Sequence, residues 1–339
     1  MDLLTQGALG AALSQASCLD KRQIVVAGLC GFLAGLAPDL DALIRSPTDP
    51  LIFLKYHRHF THSLFFIPLG GVLTALCIHT LLKRKWSLTY MQTFLYCTLG
   101  FATHGLLDAT TSYGTSLLWP FSDARISWNL VSIIDPLFTV PLAALVLLSV
   151  FKRQPSYARA GLCWALLYIT AAGLQHGTAL DMARELAAER GHVPTRIEAK
   201  PSFGNILVWK TIYERPESFH IDAVRAGIAP TVFEGTLLPK LNLARDLPWL
   251  DTDSQQSKDI ERFRSFSLGY IAQSPQKPNR LIDIRYSFVP NDVNALWSIE
   301  VSPDATTDDH AKYLTHRDNP RDGLTTLWGM IVGEWVRRL

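Results

Sequence analysis

Four apolar stretches, each about as long as a bilayer-spanning helix of ~20 residues, lie in the first half of the sequence. These stretches are Ser63–Leu82, Leu88–Leu107, Leu130–Phe151 and Ala160–Leu180. Two shorter segments precede them, Thr5–Cys18 and Ile24–Ala37, which at about 1.5 Å per residue predict a helical hairpin that is half-inserted or thinly spanning. A buried soluble bundle is the alternative, and the basic clusters between the stretches disfavour it. We therefore predict an α-helical polytopic membrane domain.

Charged residues are scarce in the same half. Residues 1–180 contain 12 Lys and Arg, eight Asp and no Glu. By contrast, about 26% of residues 181–339 are charged, which is ordinary for a soluble domain. The net charge of +2 does not indicate a basic surface for nucleic-acid binding. Five Cys in 339 residues exclude a small domain stabilised by disulfides. We predict two domains, a multi-helix membrane domain (1–180) and a soluble β-rich α+β domain (181–339).

The second domain is predicted from its strand-like runs. A polar helical stretch, Asp181–Arg190, comes first. Aromatic and β-branched runs separated by turn residues then predict strands at Ile206–Tyr213, Phe263–Ile271, Leu281–Phe288 and Leu296–Val301. The sequence of this domain shows no nucleophile elbow or phosphate loop, and it does not identify a protein partner.

Basic clusters at alternate loops predict the orientation of the helices. These clusters are Lys21-Arg22, Lys83-Arg84-Lys85 and Lys152-Arg153 with Arg159. Because short cytoplasmic loops carry an excess of Lys and Arg, the clusters are predicted to be cytoplasmic. Six passes then place the N-terminus and everything after Leu180 outside.

Polar residues in or beside membrane helices are costly and therefore indicate function. In this topology they gather at the outer face, at Asp39, Asp41, His57, Arg58, His59, His62, His104, Asp108 and Asp135. His104 and Asp108 are four residues apart and so share one helix face. Histidine and aspartate together suit zinc, manganese or iron, which predicts a metal centre.

Each of these segments also has a purely structural interpretation. Asp39 and Asp41 fit a turn and helix cap, and His104 with Asp108 fits a helix-end hydrogen bond. The histidines at 57, 59 and 62 fit an interfacial polar cluster, and Asp135 before Pro136 fits a helix-start carboxylate. Three carboxylate–histidine segments at one face favour the metal centre over independent structural roles.

Several motifs occur in order over about residues 1–150: MDLLTQGALGAAL, PDLD, HRHFTHS, HGLLDATTSYGT and IIDPLFTVPL. Together they resemble the bacterial membrane-bound metal-dependent hydrolase family, also described as LexA-binding, inner-membrane-associated hydrolases. The resemblance implies metal ligands at Asp39, Asp41, His57, His62, His104 and Asp108, with Asp2 and Asp135 as further candidates. Gln6 stands where the family often has His, and His59 stands where it often has Gly. Gln6 is a poor zinc ligand, and His59 is a conjectural replacement.

The residues and the resemblance together predict a metal-dependent hydrolase in the bacterial inner membrane, with its soluble domain in the periplasm. The substrate is expected to be an amphiphilic ester or phosphoester, a membrane lipid or a lipid-linked molecule, and not a nucleic acid. One or two divalent ions, zinc or else manganese or iron, would activate water. Arg58 would orient an anionic group, with Asp39 or Asp135 as base or supporting carboxylate.

Two other classes of function stay open at this point. A metal or proton transporter would need polar groups through the full depth of the membrane, whereas here they cluster at one face. A membrane scaffold would act through a partner of its soluble domain.

Overall fold

The computed structural model describes residues 1–86, 88–316 and 320–333. The first half is helical: α1 (Leu3–Ala16), α2 (Ile24–Leu36), α3 (Ile52–Tyr56), α4 (Ile67–Trp86), α5 (Tyr90–Ala109), α6 (Pro136–Lys152) and α7 (Pro155–Glu189). The second half contains strands β1 (Arg196–Pro201), β2 (Val208–Glu214), β3 (Ser218–Arg225), β4 (Thr231–Pro239), β5 (Ile271–Gln273), β6 (Arg280–Asp283), β7 (Trp297–Glu300) and β8 (Lys312–Thr315). Its helices are α8 (Leu243–Asp246), α9 (Gln255–Phe266) and α10 (Pro320–Val332). A helical membrane domain followed by a β-rich domain is confirmed.

The chain forms two compact units. The first contains Met1–Ile44, Tyr56–Gly173 and Phe203–Asn205. The second contains Arg45–Lys55, Leu174–Ser202 and the chain from Ile206 onward. The second unit therefore includes a short segment that precedes α4 in the sequence.

Three helical segments of the described chain are long and apolar enough to cross a membrane: Lys21–Leu43, Leu64–Leu81 and Pro155–Glu189. The second of the two short segments, predicted to be half-inserted or thinly spanning, is thus part of a helical segment long enough to span. Two 3-10 helices, Lys21–Gln23 and Ala37–Leu43, extend α2 at both ends to 23 residues.

Two helix boundaries differ from the predicted ones for identifiable reasons. Helix α6 begins at Pro136, later than the apolar stretch, because Asp135 caps it and Pro136 occupies its first turn. Helix α7 is one helix of 35 residues, which joins the predicted span to the polar stretch that follows.

Glycines let three helices of the first unit approach closely. Gly10 of α1, Gly31 of α2 and Gly100 of α5 meet at one point: a Cβ on Gly100 would lie 2.3 Å from the Gly31 carbonyl oxygen. Farther along α5, a Cβ on Gly105 would lie 2.1 Å from the carbonyl oxygen of His62. Since only glycine permits these distances, the small residues set how near α5 comes to its neighbours.

Two antiparallel four-stranded sheets form the second unit, with strand orders β1-β2-β3-β4 and β5-β6-β7-β8. One apolar cluster contains buried residues of both sheets, including Ile212, Phe219, Ala272 and Ile282. The predicted strand at Phe263–Ile271 is wrong, because residues to Phe266 belong to α9 and only Ile271 lies in a strand.

Candidate metal centre

Four side chains from three segments converge in the first unit. Asp39 comes from the 3-10 helix after α2, His62 from a 3-10 turn before α4, and His104 with Asp108 from the last turns of α5. The Nε2 atoms of His62 and His104 are 2.9 Å apart. Asp39 Oδ1 lies 3.5 Å and 3.4 Å from them, and Asp108 Oδ2 lies 3.4 Å and 3.9 Å from them. We call these four residues the His/Asp cluster, and their ligand atoms are close enough together to hold one ion.

Polar contacts at the other ring nitrogen orient both imidazoles. His104 Nδ1 donates to the carbonyl oxygen of Gly35 over 2.6 Å, which leaves Nε2 facing the cluster. His62 Nδ1 lies 3.2 Å from Asp41 Oδ2. A carboxylate or carbonyl behind the imidazole is the usual support for a metal-binding histidine, so both rings fit a metal.

Asp41 connects this cluster to a second group. Its Oδ1 lies 2.8 Å from His57 Nδ1, and its Oδ2 accepts from the backbone N–H of Arg58 at 3.0 Å and from Thr61 Oγ1 at 2.9 Å. Asp39, Asp41 and His57 together form a second set that is close enough to hold an ion. Asp39 is shared by the two sets.

Arg58 is buried beside the cluster. Its Nε lies 2.9 Å from Asp108 Oδ2, its guanidinium donates to Thr111 Oγ1 at 2.8 Å, and it stacks over the Tyr113 ring at 4.7 Å. The backbone of Arg58 is left-handed, with φ of 61°. The guanidinium is thus engaged with the protein, which differs from the expectation that it faces an anionic group of the substrate.

Gln6 is the site residue that the sequence argument set aside. It is fully buried, and its Nε2 donates to Asp108 Oδ1 at 2.8 Å. The sequence could have indicated this role from the position of Gln6. It lies on α1, one helical turn after Asp2, at the face where the His and Asp segments were predicted to gather.

Three other predicted residues lie outside both sets. Asp2 is the N-cap of α1, where it accepts from Thr5 N at 3.0 Å. Asp135 caps α6 and accepts from Tyr168 OH at 2.8 Å, so the structural interpretation of this residue applies. The ring of His59 lies 5.8 Å from that of Trp119.

The side chains of the two candidate metal-binding sets differ in exposure. The side chains of His62, His104 and Asp108 are at most 1% exposed, whereas Asp39 is 17% exposed and His57 is 23% exposed. A molecule from outside would therefore meet Asp39 and His57 first. For His62, which lies between the candidate spans, burial opposes protonation, but Asp108, Asp39 and Asp41 outweigh it and raise the pKa of the imidazole to about 10.

The fold and the cluster define a class, a helical membrane protein with a buried His and Asp centre. The YdjM inner membrane protein family matches residues 1–179, more than half of the chain, and the chain belongs to this family. It is also similar to Inner membrane protein YbcI of Escherichia coli (strain K12), with 28% identity over 144 residues, or 40% of this chain and 80% of YbcI. No solved structure matches it.

Proposed function

We propose that the chain is a metal-dependent hydrolase that acts on an amphiphilic ester or phosphoester at the surface of the inner membrane. The observation that carries the proposal is the convergence of two imidazole nitrogens and two carboxylate oxygens within 4.8 Å of one another in a buried site. A divalent ion, with zinc, manganese and iron as the candidates for this donor set, supplies Lewis-acid chemistry at an ester or phosphoryl oxygen and activates water. The second set around His57 offers a place for a second ion.

The surroundings of the cluster support a lipid-like substrate. Leu40 and Leu43 are 64% and 75% exposed, and they lie on the same 3-10 helix as Asp39 and Asp41. Exposed leucines beside a polar opening suit a molecule with an apolar chain and a polar head. In the proposal, the membrane lipid therefore both surrounds the helices of this unit and supplies its substrate.

The side chains around the cluster have separate proposed roles. Asp39, the most exposed of the four, is the residue we assign as base as well as ligand. Arg58 holds Asp108 in place and is a positioning residue. Asp135 caps a helix and has no proposed part in the reaction.

The test combines metal content with turnover. The full chain, purified in detergent, is measured for bound metal and for hydrolysis of labelled phospholipids and lipid-linked phosphates, before and after chelation. We expect His104→Ala to lose both the ion and turnover. His79→Ala is the matched control, because His79 lies on α4, bonded to Thr93 at 3.0 Å and outside both metal sets. Turnover that survives chelation, or a wild-type protein without bound metal, contradicts the proposal.

A further inference from the structure

Gln6 has an amide that is paired on one side only. Its Nε2 donates to Asp108 Oδ1 at 2.8 Å and to the carbonyl oxygen of His104 at 3.4 Å. Its Oε1 is buried and has no hydrogen-bond partner among the described residues. A buried polar atom without a hydrogen-bond partner is unfavourable, so this oxygen calls for a partner that the described residues do not supply.

An unpaired amide alone does not mark a site. Gln15 lies on the same helix, is also fully buried, and has neither amide atom paired among the described residues. Gln6 differs because Asp108, a member of the His/Asp cluster, holds its nitrogen. The bond is to Asp108 Oδ1, the second oxygen of the carboxylate whose Oδ2 lies 3.4 Å from His62 Nε2, so the buried amide adjoins the cluster.

We infer that Gln6 Oε1 is a ligand of the ion and lowers the preference of this site for zinc relative to manganese. The inference rests on the proposed function, because it needs an ion at the cluster. With Gln6 the donors are three oxygens and two imidazole nitrogens, where zinc favours four ligands rich in nitrogen or sulfur. Manganese accepts carboxylate and carbonyl oxygens in higher coordination numbers, so a neutral amide oxygen favours it.

The experiment measures binding of Mn²⁺ and of Zn²⁺ to the metal-stripped full chain in detergent, by equilibrium dialysis with elemental analysis. We expect Gln6→Leu to weaken Mn²⁺ binding by about 10-fold to 100-fold and Zn²⁺ binding by less. Gln6→His should raise the ratio of Zn²⁺ to Mn²⁺ affinity by about 10-fold or more. Gln15→Leu, which removes a buried amide from the same helix away from the cluster, should bind both ions as the wild type does.

The outcomes separate the two proposals. If the wild type binds neither ion, both the proposed function and the role of Gln6 fail. If the wild type binds ions but Gln6→Leu and Gln6→His keep the wild-type affinities, only the role of Gln6 is overturned. Should Gln6→Leu lose its helical circular dichroism, Gln6→His decides, because it keeps a polar side chain at this position.

Discussion

Two buried lysines face each other across the first two strands of the second unit. Lys200 of β1 is the register partner of Lys210 of β2, and they are 2% and 3% exposed. Lys200 forms an ion pair with Glu198, whereas Lys210 donates to two neutral oxygens, Ser287 Oγ at 2.9 Å and the Asp292 carbonyl at 2.8 Å. Burial lowers the pKa of the Lys210 ammonium to about 7.

This lysine should make the stability of the second unit depend on pH. Between about pH 7 and the ordinary lysine pKa of 10.5, the unfolded chain holds a proton that the folded chain lacks. The stability that depends on the neutral form of Lys210 is fully present above pH 10.5. It decreases as the pH falls from there and is lost by about pH 7. We expect the wild-type unfolding free energy to rise by about 1.4 kcal/mol per pH unit relative to Lys210→Met in this range.

Thermal unfolding followed by tryptophan fluorescence at about pH 7 and about pH 9 measures this difference. Lys258→Met is the control, because Lys258 is exposed on α9 and should follow the wild type. A wild-type midpoint that moves with pH no more than that of Lys210→Met contradicts the expectation.

At the site, the sequence predicted the ligand types but not how each one is used. Asp39, His62, His104 and Asp108 were named from their motifs, and the structure brings them together. Asp135 has the same chemistry, yet a helix begins beside it and uses its oxygens as a cap. One-dimensional spacing cannot separate a capping carboxylate from a ligating one, because both lie at helix ends.

Close glycine contacts place the helices that carry the cluster. Gln6 lies on α1, Asp39 follows α2, and His104 and Asp108 lie on α5. These helices are the ones that meet at Gly10, Gly31 and Gly100. The close packing that these glycines permit therefore also sets the geometry of the candidate centre.

A methyl group at this crossing should damage both stability and the site. In Gly100→Ala the new Cβ would lie 2.3 Å from the Gly31 carbonyl oxygen and 2.7 Å from its Cα, so backbone must move. We expect a loss of about 3 kcal/mol or more in stability of the first unit and a loss of bound metal. Gly173→Ala on α7 is the control, because a Cβ there meets nothing within 4 Å. Equal unfolding midpoints and equal metal content in the two variants would refute this account.

Strand positions in the second unit were harder to predict than helix positions in the first. Strand β3 was missed because two of its six buried positions hold polar residues, His220 and Asp222, each of which makes a side-chain contact. Asp222 pairs with Arg190 at 2.7 Å, and His220 stacks on Tyr213 with ring centroids 4.5 Å apart. The last turn of α9 was mistaken for the start of a strand, although Ile260, Phe263 and Phe266 recur at three-residue spacing on its buried side.

The chain segments that make up the second unit constrain the membrane topology of the whole chain. The segment 45–55 precedes α4, yet it belongs to the same unit as the strands. Arg262 of α9 makes two hydrogen bonds to Asp49, at 3.0 Å and 2.9 Å, and the rings of Phe53 and Tyr313 are 4.9 Å apart. Segment 45–55 and the part of the second unit that follows α7 lie outside the candidate spans and contact each other, so we expect both on one side of a membrane, with an even number of spans between them. Two candidate spans, Leu64–Leu81 and Pro155–Glu189, lie between them, and α5 with α6 would add two more.

An even number of spans does not determine on which side of the membrane the second unit lies. The distribution of basic residues among the loops predicts that side. The basic clusters favour cytoplasmic loops before α2, between α4 and α5 and between α6 and α7. We therefore expect an epitope inserted after Thr48 and the second unit itself to be open to protease in spheroplasts with an intact inner membrane. An epitope inserted after Gln154, between α6 and α7, should be cut only in inverted vesicles. If the Thr48 epitope and the second unit are cut only in inverted vesicles, and the Gln154 epitope only in spheroplasts, the orientation is the reverse of the predicted one. The number of spans between Thr48 and the second unit is then still even. If the Thr48 epitope and the second unit are exposed on different sides of the membrane, the inference of an even number of spans between them is contradicted.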